Sequence, residues 1–231
     1  MGECMAIRTF IFDFDGTILD TESQDFIVVD EMWKAHDQVL ELSEWRTGLG
    51  TTGGFNAYDA LEARMGRPID RTHWKAHNYQ RLLEHCSTQP IRPGVHALFD
   101  YAIAHGITLT VGSSGNREWV HRWLHEHGIF QHFATIVTSN DVSAVKPSPE
   151  IFLTVAANVA AHPADCLVFE DSAHGVTAAN RAGMRSVAVP IPSLVDAWMP
   201  DAALRLRTLA DITPAELVAR AAAAPVPSTT A

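Results

Sequence analysis

The chain has 231 residues, 47% hydrophobic and 19% charged, which excludes a disordered chain and suits one compact core plus a small insertion better than two full domains. Acids outnumber bases 27 to 17, for a formal net charge of −10. That balance argues against a nucleic-acid partner, but leaves room for a small anionic substrate held by a few local cations and a metal.

The first predicted element is a strand over Thr9–Phe14 (TFIFDF), aromatic and β-branched, ending at Gly16. The opening MGECMAIRTFIFDFDG has no basic region followed by an apolar stretch and cleavage site, and no hydroxyl for myristoylation. Helices are expected over 21–37, with Phe26, Val29 and Trp33 at helical spacing, and over 54–66 and 70–86, with Gly66 and Pro68 between them. Ser87-Thr88-Gln89-Pro90 reads as a linker. Beyond it helices and strands alternate: helix 95–105, strand 107–112, helix 117–127, strand 133–138, helix 149–160, strand 166–169, helix 174–182, strand 185–189. The tail AAAAPVPSTTA reads as frayed. No apolar run approaches the ~20 residues that cross a bilayer. The cysteines Cys4, Cys86 and Cys166 form no C-x-x-C or zinc pattern, so reduced thiols in a cytoplasmic protein are expected, with Cys166 buried in the run CLVFED.

Strands alternating with helices imply a parallel sheet with right-handed crossovers. The predicted fold is α/β: a Rossmann-like parallel sheet core flanked by helices, formed by residues 1–20 and 89–231, with an α-helical cap domain, residues 21–88, inserted after the first strand. Ligands of such sheets bind beyond the carboxyl ends of the strands, where an insertion covers the site as a lid does.

Four segments fall at that edge. In Phe12-Asp13-Phe14-Asp15-Gly16-Thr17 the strand period puts Asp13 and Asp15 on one side and Phe10, Phe12 and Phe14 on the other. Two such carboxylates repel and are costly to desolvate, and a hard cation such as Mg2+ relieves both costs. Gly112-Ser113-Ser114-Gly115-Asn116 ends a strand and opens a helix, offering hydroxyls and free N–H groups to phosphate oxygens. Taken alone, that segment reads more simply as a helix cap. Lys146, fixed before Pro147, offers a point charge to a phosphoryl group, although alone a solvated lysine at a helix entry is the simpler reading. Glu170 and Asp171 end another strand and would complete a magnesium site, or Asp171 would cap the following helix.

Together and in this order, the four segments resemble the motifs of the haloacid dehalogenase superfamily, in its phosphatase branch. The resemblance covers roughly residues 6–20 and 90–213, and the helical segment is similar to the cap of the β-phosphoglucomutase and phosphoglycolate phosphatase branch. It implies that Asp13 attacks phosphorus to form an aspartyl phosphate, and that Asp15 protonates the leaving alkoxide and then deprotonates water. It further implies a Mg2+ cofactor held by Asp13, Asp15 (through its backbone carbonyl) and Asp171, with Glu170 orienting a metal-bound water. Ser113, Ser114 and Lys146 then bind the phosphoryl oxygens. Dehalogenases usually lack the second aspartate, so Asp15 favours phosphoryl transfer.

The implied partner is a small phosphorylated metabolite, such as a sugar phosphate, with no nucleic acid or membrane, for a monomer or weak homo-oligomer. Two alternatives stand beside the phosphatase: a sugar-phosphate mutase of the β-phosphoglucomutase type, and a non-catalytic phosphoester-binding member of the fold. Such mutases carry a cap histidine where this chain has Asp25, and an arginine where it has Thr51. Candidate substrate-reading residues on the cap are Glu22, Asp25, Arg46, Thr51, Thr52 and Lys75, with Asn56 and His77 as further options. Gly48 to Gly53 matches G-x-G-x-x-G, but no strand precedes it, so a cap turn is expected. His121 and His125 share a helix face but lack a third metal ligand.

Overall fold

The computed structural model describes residues 7–49 and 54–228. Strands β1 (Thr9–Phe12), β2 (Thr108–Gly112), β3 (Thr135–Val137), β4 (Cys166–Glu170), β5 (Arg185–Ala188) and β6 (Leu204–Arg205) form one sheet in the order β3-β2-β1-β4-β5-β6. Every neighbouring pair is parallel. The chain moves outward from β1 in both directions, so the crevice at the carboxyl end of β1 is where ligands of such sheets bind.

Helices α1 (Thr21–Lys34), α2 (Leu42–Trp45), α3 (Ala57–Met65) and α4 (Arg71–Ser87) follow β1 without an intervening strand. Helices α5 (Val95–His105), α6 (Arg117–Glu126), α7 (Glu150–Asn158), α8 (Ala173–Arg181) and α9 (Pro214–Ala223) belong to the alternating part of the chain. Side-chain capping starts most of them: Asp20 accepts from the Ser23 amide, Asn116 from that of Trp119, and Ser172 from that of Gly175.

Both faces of the sheet are covered, as a parallel sheet requires. Phe10, Phe12 and Phe14 are fully buried in one cluster with Phe169, and the Phe12 and Phe169 rings stack at 4.4 Å. Aromatic contacts of this kind contribute ~0.5–1.5 kcal/mol beyond the area they bury. Ile11 faces the opposite cluster with Val168, Ile151, Phe152 and Cys166. A third cluster lies mainly within the helical insertion, around Trp33, Met32, Trp45 and Leu61, and also takes in Ile191 and Leu194 beyond β5. The last turn of α4 is different: Cys86 is buried in the cluster of the phenylalanines, which ties the end of the insertion to the sheet.

Several expectations need correction. The first strand ends at Phe12 rather than Phe14, because Gly16 turns the chain: its amide donates to the Leu19 carbonyl, and the Thr17, Ile18 and Leu19 amides all reach the Phe14 carbonyl. Helix α2, strand β6 and helix α9 were not predicted: α2 and β6 are too short for a period to show, whereas α9 carries an apolar stripe through Leu217 and Ala221 that was passed over. The tail does not fray from Ala221: α9 continues to Ala223, Ala221 is fully buried, and Arg185 donates to the Ala224 carbonyl at 2.8 Å. Cys86 and Cys166 are free and buried, whereas Cys4 lies outside the described residues. Among the described residues no helix is long and apolar enough to cross a membrane.

Candidate active site

The site grows from the register of the sheet. Phe12 pairs with Val111 on one side and Phe169 on the other, and the Asp13 amide donates to the Phe169 carbonyl at 3.0 Å. The residues one or two positions further on in the three central strands therefore emerge together at one edge: Asp13, Ser113 and Glu170-Asp171. All four are buried.

Lys146 reaches this edge from the loop before α7. Its side chain is only 1% exposed, and its ammonium donates to Asp13 and, at 2.6 Å, to Glu170. Burial alone would lower the Lys146 pKa, but the two carboxylates outweigh it and hold the ammonium above its ordinary range. This lysine is therefore neither solvated nor a helix-entry charge. Glu170 uses its other oxygen to accept from the Ser172 amide and hydroxyl at 3.1 and 3.0 Å.

Carboxylate oxygens of Asp13, Glu170 and Asp171 lie within 4.8 Å of one another. Ser172, not Asp171, caps α8, so the capping explanation of Asp171 falls away. Burial, followed by the charges of Glu170 and Asp13, pushes the Asp171 carboxyl well upward. Burial also raises Asp13, against the opposing pull of Lys146. One ammonium leaves this group of acids with surplus negative charge. The donor set is hard oxygen throughout, which fits Mg2+, and a divalent cation there would remove the repulsion that raises these groups.

Gly16 makes the close approach possible. Its φ is +79°, and a Cβ there would overlap the Asp171 carboxylate. Arg92, in the loop before α5, fixes the same corner from below: its buried guanidinium donates to the carbonyls of Gly16, Val189 and Pro190. Sequence reasoning passed over Arg92, since an arginine in a Pro/Gly loop carries no periodic signal.

Asp15 does not follow Asp13 by strand alternation, because the strand has already ended. Its carboxylate turns to the Thr21 hydroxyl at 2.7 Å and the Trp119 indole N–H at 2.7 Å, with the Ser113 hydroxyl 3.5 Å away. It is absent from the compact acidic group of Asp13, Glu170 and Asp171. Burial raises its pKa, opposed first by the hydrogen bond from Trp119. Neither Thr21 nor Trp119 was anticipated from the sequence. Ser114 sits beside Ser113 in the same turn, half-buried.

The remaining candidates separate. Glu22, Asp25 and Lys75 line one cavity of about 510 Å³, together with Asn56, Tyr58 and Asn78. Arg46 lines a second cavity of about 370 Å³ that borders Asp171, with Trp198 at its rim. His77 instead stacks on His73. Thr51 and Thr52 lie outside the described residues, as does most of the glycine-rich turn. Burial and the neighbouring Asp171 and Asp15 charges push Glu22 well upward.

Asp25 is pushed up to about 6, first by burial, with the Trp45 side chain opposing. For an acid so raised, the stabilising protonation is complete at low pH and is lost as pH rises through about 6. Asp25→Asn is therefore expected to melt above the wild type at pH 7.5, with the difference shrinking toward pH 5. Thermal unfolding at both pH values checks this.

Comparison with known proteins places the geometry in a wider group. The family model described as haloacid dehalogenase-like hydrolase matches residues 10–189. YhcW of Bacillus subtilis (strain 168), provisionally named a phosphatase, is 37% identical over 206 residues, covering 89% of this chain and 94% of that protein. The beta-phosphoglucomutase of the same organism is 27% identical over 194 residues, covering 79% and 83%. The crystal structure of CbbY from Rhodobacter sphaeroides in complex with phosphate superposes with a TM-score of 0.70 at 25% identity, over 89% of this chain and 96% of that one.

Proposed function

The chain belongs to the haloacid dehalogenase-like hydrolases, and on that premise we propose that it is a Mg2+-dependent phosphatase of small phosphorylated metabolites, a sugar phosphate or similar phosphomonoester. The observation that carries this reading is the gathering of Asp13, Lys146, Glu170 and Asp171, from separate chain segments, at the carboxyl edge of β1 and β4.

Each residue has a chemical task. Asp13 is the nucleophile: a carboxylate oxygen forms a bond to phosphorus as the bond to the leaving oxygen breaks. Asp15 gives that oxygen a proton, and later takes one from the water that hydrolyses the aspartyl phosphate. Lys146 neutralises Asp13 and offers its ammonium to phosphoryl oxygens, joined by Ser113 and Ser114. Asp13, Asp171 and the Asp15 carbonyl would hold Mg2+, with Glu170 orienting a bound water. When bound, the ion supplies charge neutralisation for the incoming phosphate and the developing transition state. Positioning and electrostatics carry most of such a reaction, and the site is built for both.

Residues 21–88 act as the cap, and the cavity edged by Glu22, Asp25 and Lys75 receives the leaving group. Release of phosphate to water is favoured over return to a sugar because an acid, Asp25, occupies the position of the mutase histidine and repels a second phosphate. The free buried cysteines suit a cytoplasmic protein.

Phosphate release from a panel of sugar phosphates, phosphoglycolate and nucleotides tests the reading. Activity is expected to vanish with EDTA and return with Mg2+. Independently of turnover, Mg2+ is expected to raise the melting temperature of the wild type, because the ion binds the folded site alone, and to do so far less in Asp171→Asn. Turnover that survives chelation would refute the metal assignment. Isomerised sugar phosphate, formed on addition of a hexose bisphosphate, would favour the mutase instead.

A further inference from the structure

We propose that Trp119 is a positioning residue for proton transfer: its indole N–H and the Thr21 hydroxyl together claim one oxygen of Asp15, so that the other oxygen carries the proton delivered to the leaving group. The inference rests on the phosphatase reading above and adds to it a residue that none of the four motifs contains.

The two donors converge on the same atom. Trp119 Nε1 and Thr21 Oγ1 each lie 2.7 Å from Asp15 Oδ1. An indole N–H donates and never accepts, so a proton cannot reside on Oδ1 along that direction without losing the contact. The second oxygen, Oδ2, has a looser neighbour: the Ser113 hydroxyl at 3.5 Å, whose oxygen already accepts from the Gly115 amide at 2.9 Å. Oδ2 is thus the oxygen left to hold the transferable proton. Space around it is kept by Gly115, where a Cβ would come within 2.9 Å of Oδ2 and 3.1 Å of the Ser113 hydroxyl.

Trp119 is itself held firmly. Its amide caps onto the Asn116 side chain at 2.9 Å, and its ring packs edge-on against the buried Trp123 at 5.4 Å. The turn that carries Ser113 and Gly115 therefore also fixes, through the first turn of α6, the donor that orients Asp15. Thr21 performs the same task from the start of α1.

In the phosphorylation step, an Asp13 carboxylate oxygen bonds to phosphorus while the bond between phosphorus and the leaving oxygen breaks. That electron pair stays on the leaving oxygen, which takes the proton from Asp15 Oδ2. The products are the free alcohol, an Asp13 acyl phosphate and an Asp15 carboxylate. Misorientation of Asp15 should hurt this step in proportion to the leaving group's need for a proton.

The test is a leaving-group comparison in Trp119→Phe, which keeps an aromatic ring at the position and removes the indole N–H. Two substrates are compared by kcat/KM, which reports the steps through aspartyl-phosphate formation and excludes the later role of Asp15 with water. One is the best alkyl phosphate of the panel; the other is 4-nitrophenyl phosphate, whose phenolate leaves without a proton. General acid catalysis contributes ~10²–10⁴-fold, so partial loss of its geometry is expected to cost about 30–100-fold on the alkyl ester and less than about 5-fold on the aryl ester. Both values come from one preparation, so any misfolded fraction cancels in their ratio. Equal losses on both substrates, or no loss on either, would overturn the proposal. A wild type that hydrolyses neither ester would instead overturn the phosphatase reading, and the proposal with it.

Discussion

Asp13→Asn is expected to lower phosphate release by at least ~10⁴-fold while leaving the fold intact. The amide that replaces the carboxylate is a poor nucleophile and forms no stable acyl phosphate. The expected stability effect has the opposite sign. Asp13 is buried beside Asp15 and Glu170, whose charges add to the cost of its own desolvation. The neutral amide removes that cost, and Lys146 keeps Glu170 as a counterion at 2.6 Å. The variant should melt at or above the wild-type temperature. A phosphate-release assay beside a thermal melt checks both halves. Wild-type turnover in a well-folded Asp13→Asn protein would eliminate Asp13 as nucleophile.

Lys146→Met should produce the largest loss of stability of any single change at the site. Methionine fills much of the same volume next to Phe152, whose ring centroid lies 4.9 Å from the ammonium. The difference is therefore electrostatic. Two buried carboxylates, Asp13 and Glu170, lose their shared cation. Breaking a buried pair by removing one partner costs ~3–5 kcal/mol, which in a chain of this size corresponds to a drop of about 6–20 °C in melting temperature. Turnover should be lost as well. Adding Glu170→Gln to the same protein is expected to recover part of the stability, since one uncompensated charge is then removed, without restoring activity. Melting curves of the single and double variants at pH 7.5 measure this. A single variant that melts with the wild type would mean that the ammonium does not neutralise the pair.

Some of this was legible in the residues themselves. The aromatic, β-branched run through Phe12 marked a buried strand ending at the carboxylate of Asp13, although the alternation read on through Phe14 and Asp15 did not hold past the end of the strand. The helix and strand alternation after residue 94 announced a parallel sheet, since parallel strands require crossovers. Asp13, Ser113, Lys146, Glu170 and Asp171 were singled out at strand ends and a loop entry, Ser113 and Lys146 only through their common edge and the family resemblance, and the structure buries all five near the end of β1. Short elements escaped: β6 has two residues and α2 has four, too few for any period to show. Helix α9 was passed over although its period is visible: Leu217 and Ala221, four apart, are buried, while Glu216 and Arg220 face outward.

What the sequence by itself determined is local: which segments are strands, which end in acids, hydroxyls or a lysine, and where an all-helical insertion interrupts the pattern. Only the tertiary structure decided partners. It made Lys146 a buried counterion of two carboxylates, turned Asp15 away from the acidic group toward Trp119 and Thr21, and set Arg92 under the turn at Gly16. The reason is physical: a buried charge or donor must be satisfied by whatever the packed core brings within about 3 Å. For Asp15 that partner is 104 residues away along the chain, a separation that no local period encodes.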